Sequence, residues 1–274
     1  MVIKDDEFKR LYEFMKSNYG LNFSDEKKSN IENRLRFVML KNEYKSFTEY
    51  FDNIKMDSSG QMKNELINRL TTNHTYFFRE NSHFSYFEEI ILPELFEIEK
   101  KSRDLRIWSA GCSTGEEPYT LAMILHKNLE KIRLTYDVKV LGTDISTKVL
   151  KLAKEGRYGA LSVKDIPIEY KSKYFKAESN GVYQIHQSVM DEVIFRRFNL
   201  MDHFNFKKKF HVIFCRNVLI YFDNETKLKI LRKFYDSLED GGYLFLGKSE
   251  FNLDKRFTFL KPAIYRKGEL WGRK

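Results

Sequence analysis

The sequence predicts an α/β domain built on a doubly wound, mostly parallel sheet, preceded by a small domain made of helices alone. Two patterns in the 274 residues lead to this prediction. Up to about residue 70, apolar residues recur at intervals of three and four, which is the period of an amphipathic helix. After residue 105, short apolar runs alternate with helical segments, which is the order of βαβ units. Because 42% of the residues are hydrophobic and 15% are aromatic, a disordered chain is excluded.

The first domain is expected to contain four short helices. Apolar residues group on one helical face within each of the segments 8–15, 31–39, 47–54 and 62–70. We assign this helical domain to residues 1–80 and the larger domain to residues 81–274. The exposed face of the second helix is basic, and it could be either a solvated surface or a contact surface for an acidic partner. Its basic residues are Lys27, Lys28, Arg34, Arg36 and Lys41.

The larger domain is expected to contain six strands with helices between them. Helices often end in a glycine in the left-handed conformation, and this predicts helix C termini at Gly156 and at the pair Gly241 and Gly242. Residues 157–191 break the pattern and predict an insertion with short strands of its own, and insertions of this length are commonly functional. The strands are expected at residues 106–110, 138–142, 193–198, 211–215, 243–246 and 257–265. The helices are expected to begin near Glu116, Thr147 and Asn224.

Composition excludes several classes of protein. The two cysteines, Cys112 and Cys215, are too few for a disulfide framework or a cysteine-rich zinc site. No apolar run approaches the ~20 residues of a membrane-spanning helix, and acidic residues stand close to Met1, where a secretory signal would have an apolar stretch. We therefore expect a cytoplasmic protein without a metal site. The excess of 48 basic over 39 acidic residues gives a net charge of +9, which favours anionic partners such as nucleic acid or an acidic protein surface.

A candidate ligand site lies where the strand at 106–110 runs into a glycine turn and a helix start. The turn begins at Gly111, and Glu116 and Glu117 open the helix. Open α/β sheets bind ligands in such crevices, because glycine lets a ligand approach the backbone. A pyrophosphate would be bound at the helix N terminus, but the two glutamates would repel it. We therefore expect a cationic ligand without phosphate, and S-adenosylmethionine, with its sulfonium and ammonium groups, meets both conditions.

A third carboxylate, Asp144, comes just after the strand at 138–142, the position from which α/β sheets reach ribose hydroxyls. Each acidic residue also has a purely structural explanation. Asp144 could cap the helix that begins near Ser146, and Glu116 and Glu117 could complement the dipole of their own helix. The three carboxylates together, at the ends of two neighbouring strands, favour the ligand site.

Five segments between residues 71 and 222 stand out together. They are TTNHTYFFRE at 71–80, WSAGCSTGEEPY at 108–119, GTDI at 142–145, NL at 199–200 and FCRNVLIYF at 214–222. In sequence and order they resemble the motifs of the CheR family, whose members are chemotaxis receptor methyltransferases that esterify glutamates with S-adenosylmethionine. The resemblance implies a Rossmann-like methyltransferase sheet, a small helical domain before it and a small antiparallel β-subdomain at residues 157–191.

The resemblance also implies roles for single residues. Arg79 and Tyr221 stand at positions associated with catalysis, where Arg79 would hold an incoming carboxylate and Tyr221 would orient it or line the methyl-transfer channel. A surface salt bridge for Arg79 and a half-buried core ring for Tyr221 are the structural alternatives. Thr75 would share a helix face with Arg79 if a helix forms there, and Asn73 and Thr75 could be its caps. The positions implied to bind S-adenosylmethionine are Asn73, Thr75, Arg79, Gly111, Glu117, Asp144, Asn199, Leu200, Arg216 and Asn217.

Esterification of a glutamate requires mainly positioning from the protein. A glutamate side chain has an unperturbed pKa near 4.3, so it is ionised at neutral pH and needs no general base. The lack of an obvious His or Cys catalytic pair is therefore no objection. Attack of a carboxylate on a sulfonium methyl group neutralises two opposite charges, so a dry pocket is expected to help.

The resemblance further implies a partner, the acidic helical coiled coil in the cytoplasmic domain of a chemoreceptor. The basic face of the second helix would receive it by charge complementarity. We expect no nucleic-acid partner, no insertion into the membrane and a monomeric enzyme. Some family members bind a receptor tail peptide through a longer glycine-containing loop in the β-subdomain. The corresponding loop at 178–181 is shorter here, so we expect no docking of a tail peptide.

Three other functions agree with part of the sequence. An RNA methyltransferase would explain the charge, but residues 215–218 read Cys-Arg-Asn-Val and lack the Asn/Asp-Pro-Pro-aromatic segment of enzymes that methylate bases, and no basic stretch is interleaved with stacking aromatics. A non-catalytic sensor of S-adenosylmethionine would keep Glu117 and Asp144 but would need neither Arg79 nor Tyr221. A dinucleotide-dependent oxidoreductase conflicts with the acidic helix start.

Overall fold

The computed structural model describes residues 2–23, 25–132 and 136–268. Its helices are α1 (Asp5–Tyr19), α2 (Lys28–Lys41), α3 (Phe47–Met56), α4 (Gln61–Leu70), α5 (Asn81–Tyr86), α6 (Leu92–Ile98), α7 (Glu116–Ile132), α8 (Thr147–Glu155), α9 (Ile168–Tyr174), α10 (Gln187–Met190) and α11 (Asn224–Ser237). Its strands are β1 (Asp104–Ala110), β2 (Asp137–Asp144), β3 (Arg157–Gly159), β4 (Phe175–Ala177), β5 (Val182–Ile185), β6 (Val193–Arg197), β7 (Phe210–Cys215), β8 (Leu238–Leu246), β9 (Phe257–Lys261) and β10 (Ile264–Lys267). None of the helices in these ranges has both the length and the apolar character needed to cross a bilayer.

Helices α1 to α4 pack around a hydrophobic core of their own, so the predicted four-helix arrangement is confirmed. One buried polar group helps to join them. The carboxylate of Glu7 on α1 accepts hydrogen bonds from the backbone N–H of Lys4, at 3.0 Å, and from the backbone N–H of Thr48 on α3, at 2.8 Å. Because carboxylates form strong hydrogen bonds to backbone N–H groups, this contact fixes α3 against α1.

The main sheet of the larger domain has the strand order β6-β2-β1-β7-β8-β10-β9. The first five strands are parallel, and β10 and β9 add an antiparallel hairpin at one edge. Successive side chains of a strand point to opposite faces. Ile107 therefore packs in the core that includes α7, and Trp108 packs in the core that includes α11. This is the doubly wound, mostly parallel sheet that the sequence predicts.

Two details of the larger domain correct the prediction. The segment 257–265 is not one strand, because Pro262 and Ala263 form a tight turn between β9 and β10 in which Ala263 has a left-handed φ of 63°. Gly241 and Gly242 do not end a helix. They lie within β8, where its register with β7 shifts, and Gly241 has a φ of 78°.

Residues 157–191 form the predicted insertion. Helix α8 ends at Glu155, and Gly156, which follows it, has a left-handed φ of 62°. The chain then leaves the main sheet. The insertion holds helices α9 and α10 and a three-stranded antiparallel sheet of order β3-β5-β4. A single 3-10 turn, Ser179–Gly181, connects β4 to β5. That no receptor tail peptide docks on this subdomain stays a prediction.

The segment after α1 joins the helical domain to the larger domain. Gly20 ends α1 in the left-handed conformation, and Leu21 then forms an antiparallel β-bridge with Phe222. The backbone N–H of Asn22 donates a hydrogen bond to the carbonyl of Tyr221 at 2.8 Å. The helical domain is therefore paired, backbone to backbone, with a loop of the larger domain that follows β7.

Candidate active site

A cavity of about 310 Å³ lies between the carboxyl ends of the parallel strands and the helical domain. Strands β1 and β7 are neighbours, but the chain leaves β1 for β2 and β6 before it returns to β7. The cavity opens at this switch in strand order, which is where open α/β sheets bind ligands. Its volume is within the range of small-molecule sites. Residues 70–76 and the helical domain form the wall that faces the sheet.

All ten residues predicted to bind S-adenosylmethionine line this cavity, and so does Tyr221. They come from parts of the chain that are far apart in sequence: the linker after α4, the turn after β1, the end of β2 and the loops after β6 and β7. The ten are Asn73, Thr75, Arg79, Gly111, Glu117, Asp144, Asn199, Leu200, Arg216 and Asn217. The fold thus brings these residues together, and their roles in binding stay predictions.

The five basic residues on and before α2 differ in their surroundings. Lys27 and Arg34 line the cavity, whereas the other three do not. The Arg34 guanidinium donates a hydrogen bond to the carbonyl of Leu70 at 2.8 Å, so it joins α2 to the linker. Lys41, at the C-terminal end of α2, forms no ion pair among the described residues. The other two have acidic partners, which are Asp5 for Lys28 and Glu32 for Arg36.

Gly111, in the turn after β1, has a φ of 82°, which glycine adopts without strain. Its N–H donates to the carbonyl of Thr143 at 2.7 Å, so the turn is fixed to the end of β2. A Cβ at this position would lie 2.4 Å from a methyl carbon of Val218. The close approach of the turn to the loop after β7 therefore depends on the missing side chain.

The Asp144 carboxylate is held by backbone N–H groups at the floor of the cavity. One oxygen accepts from Ser146 and the other from Ser113, each at 2.9 Å. Burial raises the pKa of Asp144, and these N–H groups oppose the rise. A carboxylate has about four lone-pair sites, so each oxygen can accept one further hydrogen bond, as a ribose diol would require. The cap of α8 is Ser146, whose hydroxyl accepts from the N–H of Val149, and not Asp144.

The two glutamates at the start of α7 face different surroundings. Glu117 lines the cavity, where it accepts hydrogen bonds from the Ser109 hydroxyl at 2.7 Å and from Arg216 at 3.0 Å. Burial raises the pKa of Glu117, and the positive charge of Arg216 opposes the rise. Glu116 does not line the cavity. It is buried and bonded to the Thr114 hydroxyl, so only one of the two glutamates faces a ligand, which corrects the expectation that both would.

Arg216, at the end of β7, lies between two carboxylates. Its guanidinium contacts Glu117 at 3.0 Å and Glu80 at 3.2 Å, and it also donates to the carbonyl of Arg79. The side chain is only 2% exposed, and its Nε has no hydrogen-bond partner among the described residues. Burial would raise the pKa of Glu80, but the charge and hydrogen bonds of Arg216, with bonds from Asn217 and the backbone N–H of Lys248, lower it overall.

The two asparagines predicted to bind the cofactor also hold parts of the protein together. The amide nitrogen of Asn199 donates to the carbonyl of Asn18 at 2.8 Å, and its oxygen accepts from the N–H of Met201 at 3.1 Å. The amide of Asn217 donates to Glu80 at 3.3 Å, and its backbone adopts a φ of 60°. The side chain of Asn199 keeps one N–H donor and one lone pair for a ligand.

Residues 71–80 are not helical, so the condition for Thr75 and Arg79 to share a helix face is not met, and Asn73 and Thr75 cap no helix. Residues 71–76 have no regular structure and residues 77–80 form a turn in which Phe78 has a φ of 57°. The turn allows the adjacent Phe77 and Phe78 both to be buried, against different aromatic partners.

The two candidate catalytic residues have few partners of their own. The Arg79 guanidinium donates to the carbonyl of His74 at 2.8 Å and lies 5.9 Å from the Tyr76 ring centre. Within the described ranges it forms no ion pair, so the surface salt bridge is not found. Tyr221 is half-buried at the cavity wall, and its hydroxyl makes no hydrogen bond to the residues that the structure describes.

Two carboxylates that organise the site, those of Glu80 and Glu250, were not predicted from the sequence. Glu80 contacts Arg216, Asn217 and the N–H of Lys248. Glu250 accepts three backbone N–H groups near the loop after β7. Glu80 ends one of the family-like motifs, which was the only signal available for it. Among the described residues, no group of three or more His, Cys, Asp or Glu is arranged to hold a metal ion.

Gly111→Ala is expected to weaken the affinity for S-adenosylmethionine about tenfold, which a distortion of about 1.4 kcal/mol at the turn would cause. Strain at φ 82° and the contact with Val218 should also lower the free energy of unfolding by about 1–3 kcal/mol. Calorimetry and denaturant unfolding measure the two effects. Gly60→Ala is the matched control, because φ is 72° there and no atom lies within 4 Å of an added Cβ. Equal affinity losses in the two variants would contradict the role of the turn.

Two family models match the chain side by side. Residues 6–71 match the CheR methyltransferase, all-alpha domain, and residues 73–264 match the CheR methyltransferase, SAM binding domain. The chain is 41% identical to a chemotaxis protein methyltransferase of Borreliella burgdorferi, over 97% of this chain and 95% of that protein. It is 35% identical to chemotaxis protein methyltransferase 2 of Vibrio cholerae, over 91% and 87%, and 35% identical to chemotaxis protein methyltransferase 1 of Pseudomonas aeruginosa, over 91% and 92%.

Proposed function

This chain belongs to the CheR family of chemotaxis protein methyltransferases, and we propose on that premise that it methylates glutamate side chains of chemoreceptors. The product would be a glutamate methyl ester. One observation carries the proposal: residues of both charges line the same cavity. Asp144 and Glu117 stand at the strand ends of its floor, the helical domain contributes Lys27 and Arg34, and the turn at 77–80 contributes Arg79.

The floor fits S-adenosylmethionine by charge and by shape. The carboxylates of Asp144 and Glu117 line it, and Glu117 and the nearby Glu80 both contact one guanidinium, that of Arg216. The excess of negative charge suits a ligand with a sulfonium and an ammonium group. Asp144 would accept hydrogen bonds from the ribose, and the bare backbone of Gly111 would leave room for the ligand. When bound, S-adenosylmethionine supplies an electrophilic methyl group on positively charged sulfur.

The wall would receive the second reactant, an ionised glutamate. Four of the five N–H donors of Arg79 have no acceptor among the described residues, so they are available to a carboxylate. Since that carboxylate is ionised at neutral pH, no proton has to be removed before it reacts. The task of Arg79 would be to orient one carboxylate oxygen toward the floor. Tyr221, half-buried on the lining of the same cavity, would limit access of water.

Helix α2 suits an acidic, helical partner. Lys27 and Arg34 border the cavity, and Arg34 and Lys41 are seven residues apart, so they share a helix face. Phe37, 59% exposed, and Leu40, 71% exposed, lie on the same outer side of α2. A chemoreceptor helix with glutamates along one side would present both charge and apolar contact to this surface. We also propose residues 1–80 and 81–274 as the two structural units that meet at the cavity.

The proposal is tested by incubating the protein with tritiated S-adenosylmethionine and a cytoplasmic fragment of a chemoreceptor. The expected result is label on the receptor that mild alkali releases as methanol, because esters hydrolyse there and N-methyl groups do not. A receptor fragment with glutamine in place of its glutamates is the control and should stay unlabelled. Alkali-stable label on RNA would instead support an RNA methyltransferase, and binding without any transfer would support a sensor.

A further inference from the structure

The carboxylate of Glu250 is buried and makes an unusual set of hydrogen bonds just outside the cavity. It is 8% exposed and accepts the backbone N–H groups of Gly247 at 2.6 Å, Asn217 at 2.8 Å and Ile220 at 3.1 Å. Among the described residues it forms no ion pair. Burial of a carboxylate is costly unless hydrogen bonds replace its water, and three N–H groups do so here.

Two of those three donors belong to the loop that carries Tyr221. Asn217 begins the loop in a left-handed conformation, with a φ of 60°, and Ile220 lies in the 3-10 turn Leu219–Tyr221. Glu250 therefore holds the loop at its strained start and again one residue before Tyr221. Without this acceptor, the N–H of Ile220 would be one of the unpaired donors at the start of a short helical turn.

On its other side, the same loop is held by the helical domain. The carbonyl of Tyr221 accepts from the N–H of Asn22, and Phe222 forms the β-bridge with Leu21. The Tyr221 hydroxyl itself has no partner among the residues that the structure describes. Its ring is therefore positioned through the backbone, and the fixed points on the backbone are Glu250 before it and Asn22 after it.

We propose that Glu250 is a positioning residue for methyl transfer, which acts by fixing the backbone that presents Tyr221 to the cavity. The inference rests on the proposed function, since it assigns Tyr221 a part in the reaction. It also accounts for a buried charge that packing alone does not explain, because an apolar side chain at this position would avoid the cost of desolvation.

The decisive variant is Glu250→Gln, which keeps the size of the side chain. Its amide would direct an NH₂ group at Ile220 or at the pair Asn217 and Gly247, so that donor faces donor. We expect kcat for receptor methylation to fall about tenfold, as displacement of a positioned group by a fraction of an ångström does. The dissociation constant of S-adenosylmethionine, measured by calorimetry, should rise by a smaller factor than kcat falls, because Glu250 holds Asn217 among the predicted cofactor-binding residues while Asp144 and Glu117 keep their contacts.

Two controls separate positioning from stability. Glu7→Gln makes the same change in a buried carboxylate that also accepts backbone N–H groups, but in the helical domain and away from the cavity. It should lower the unfolding midpoint while kcat stays within about twofold of the parent protein. Glu250→Asp, which shortens the side chain, replaces Glu250→Gln if the latter does not fold.

A double-mutant cycle then tests the route of the effect. If Glu250 acts through Tyr221, Glu250→Gln should lower kcat much less in a Tyr221→Ala background than in the parent protein. The inference is wrong if the same factor is lost in both backgrounds, if Tyr221→Ala leaves kcat unchanged, or if Glu250→Gln has no more effect than Glu7→Gln. Failure of the parent protein to methylate the receptor would count against the proposed function instead.

Discussion

Arg216→Ala is expected to lower the free energy of unfolding by about 3–5 kcal/mol, because it removes one partner from a buried ionic network. The variant would leave the carboxylates of Glu117 and Glu80 close together without the cation that now lies between them. Both carboxylates are largely buried, with side chains 15% and 14% exposed, so water compensates little. Since Glu117 lines the cavity, binding of S-adenosylmethionine should be lost as well. Denaturant unfolding and calorimetry measure the two losses.

The matched control for this variant is Arg266→Ala. Arg266, on β10, is also buried and also paired with a carboxylate, that of Glu94, at 2.7 Å, but it does not line the cavity. We expect a loss of stability with affinity for S-adenosylmethionine unchanged within about twofold. The loss of unfolding free energy in Arg216→Ala should also shrink as the pH is lowered from neutral, because burial already raises the pKa of Glu117 and protonation removes the uncompensated charge from the folded state. Tight ligand binding by Arg216→Ala at neutral pH would contradict the assignment.

Arg79→Ala is expected to lower kcat/KM for receptor methylation by roughly a hundredfold or more, which is the usual effect of losing a group that orients a reactant. The side chain contributes little to the fold, since its guanidinium makes one hydrogen bond, to the carbonyl of His74. The unfolding free energy should therefore change by less than about 1 kcal/mol. Binding of S-adenosylmethionine should weaken by far less than the rate falls, because Asp144 and Glu117 remain.

Arg79→Lys is the conservative comparison. It keeps the positive charge but loses the planar fork that can bind both oxygens of a carboxylate. An activity between those of the parent protein and Arg79→Ala would indicate that geometry matters as well as charge. Full activity of Arg79→Ala would show that another group orients the glutamate, and Lys27 on the same wall would be the next candidate.

The parts of this structure that follow from local sequence were predictable. The helical period of the first 70 residues is confirmed by α1 to α4, and the alternation after residue 105 is confirmed by the parallel sheet. Gly111 and Asp144 could be placed near each other because both follow strands of one parallel sheet, whose carboxyl ends share an edge. Which strand ends lie close together follows from the fold class alone, so it can be predicted without knowing any side-chain contact.

The parts that depend on tertiary contacts were not predictable from one sequence. In the sequence, Glu80 and Glu250 cannot be told from surface glutamates. Their hydrogen bonds to the end of β7 and the loop after it form only when the chain folds. In the same way, no sequence pattern marks residues 77–80 as a turn, in which the adjacent Phe77 and Phe78 are buried against separate aromatic partners. Burial of charge and local strain are consequences of packing, which a periodic pattern does not encode.

The β-bridge between Leu21 and Phe222 bears on any attempt to build hybrid enzymes from relatives. Residue 72 is the obvious point at which to exchange the helical domain for that of a relative, since the two family matches meet there. The exchanged helical domain would nevertheless supply the main-chain atoms that pair with Phe222 and hydrogen-bond to Tyr221. A hybrid made to change receptor preference would therefore also change the backbone contacts that shape the cavity. Its design has to match the junction at residues 18–23 as carefully as the surface of α2.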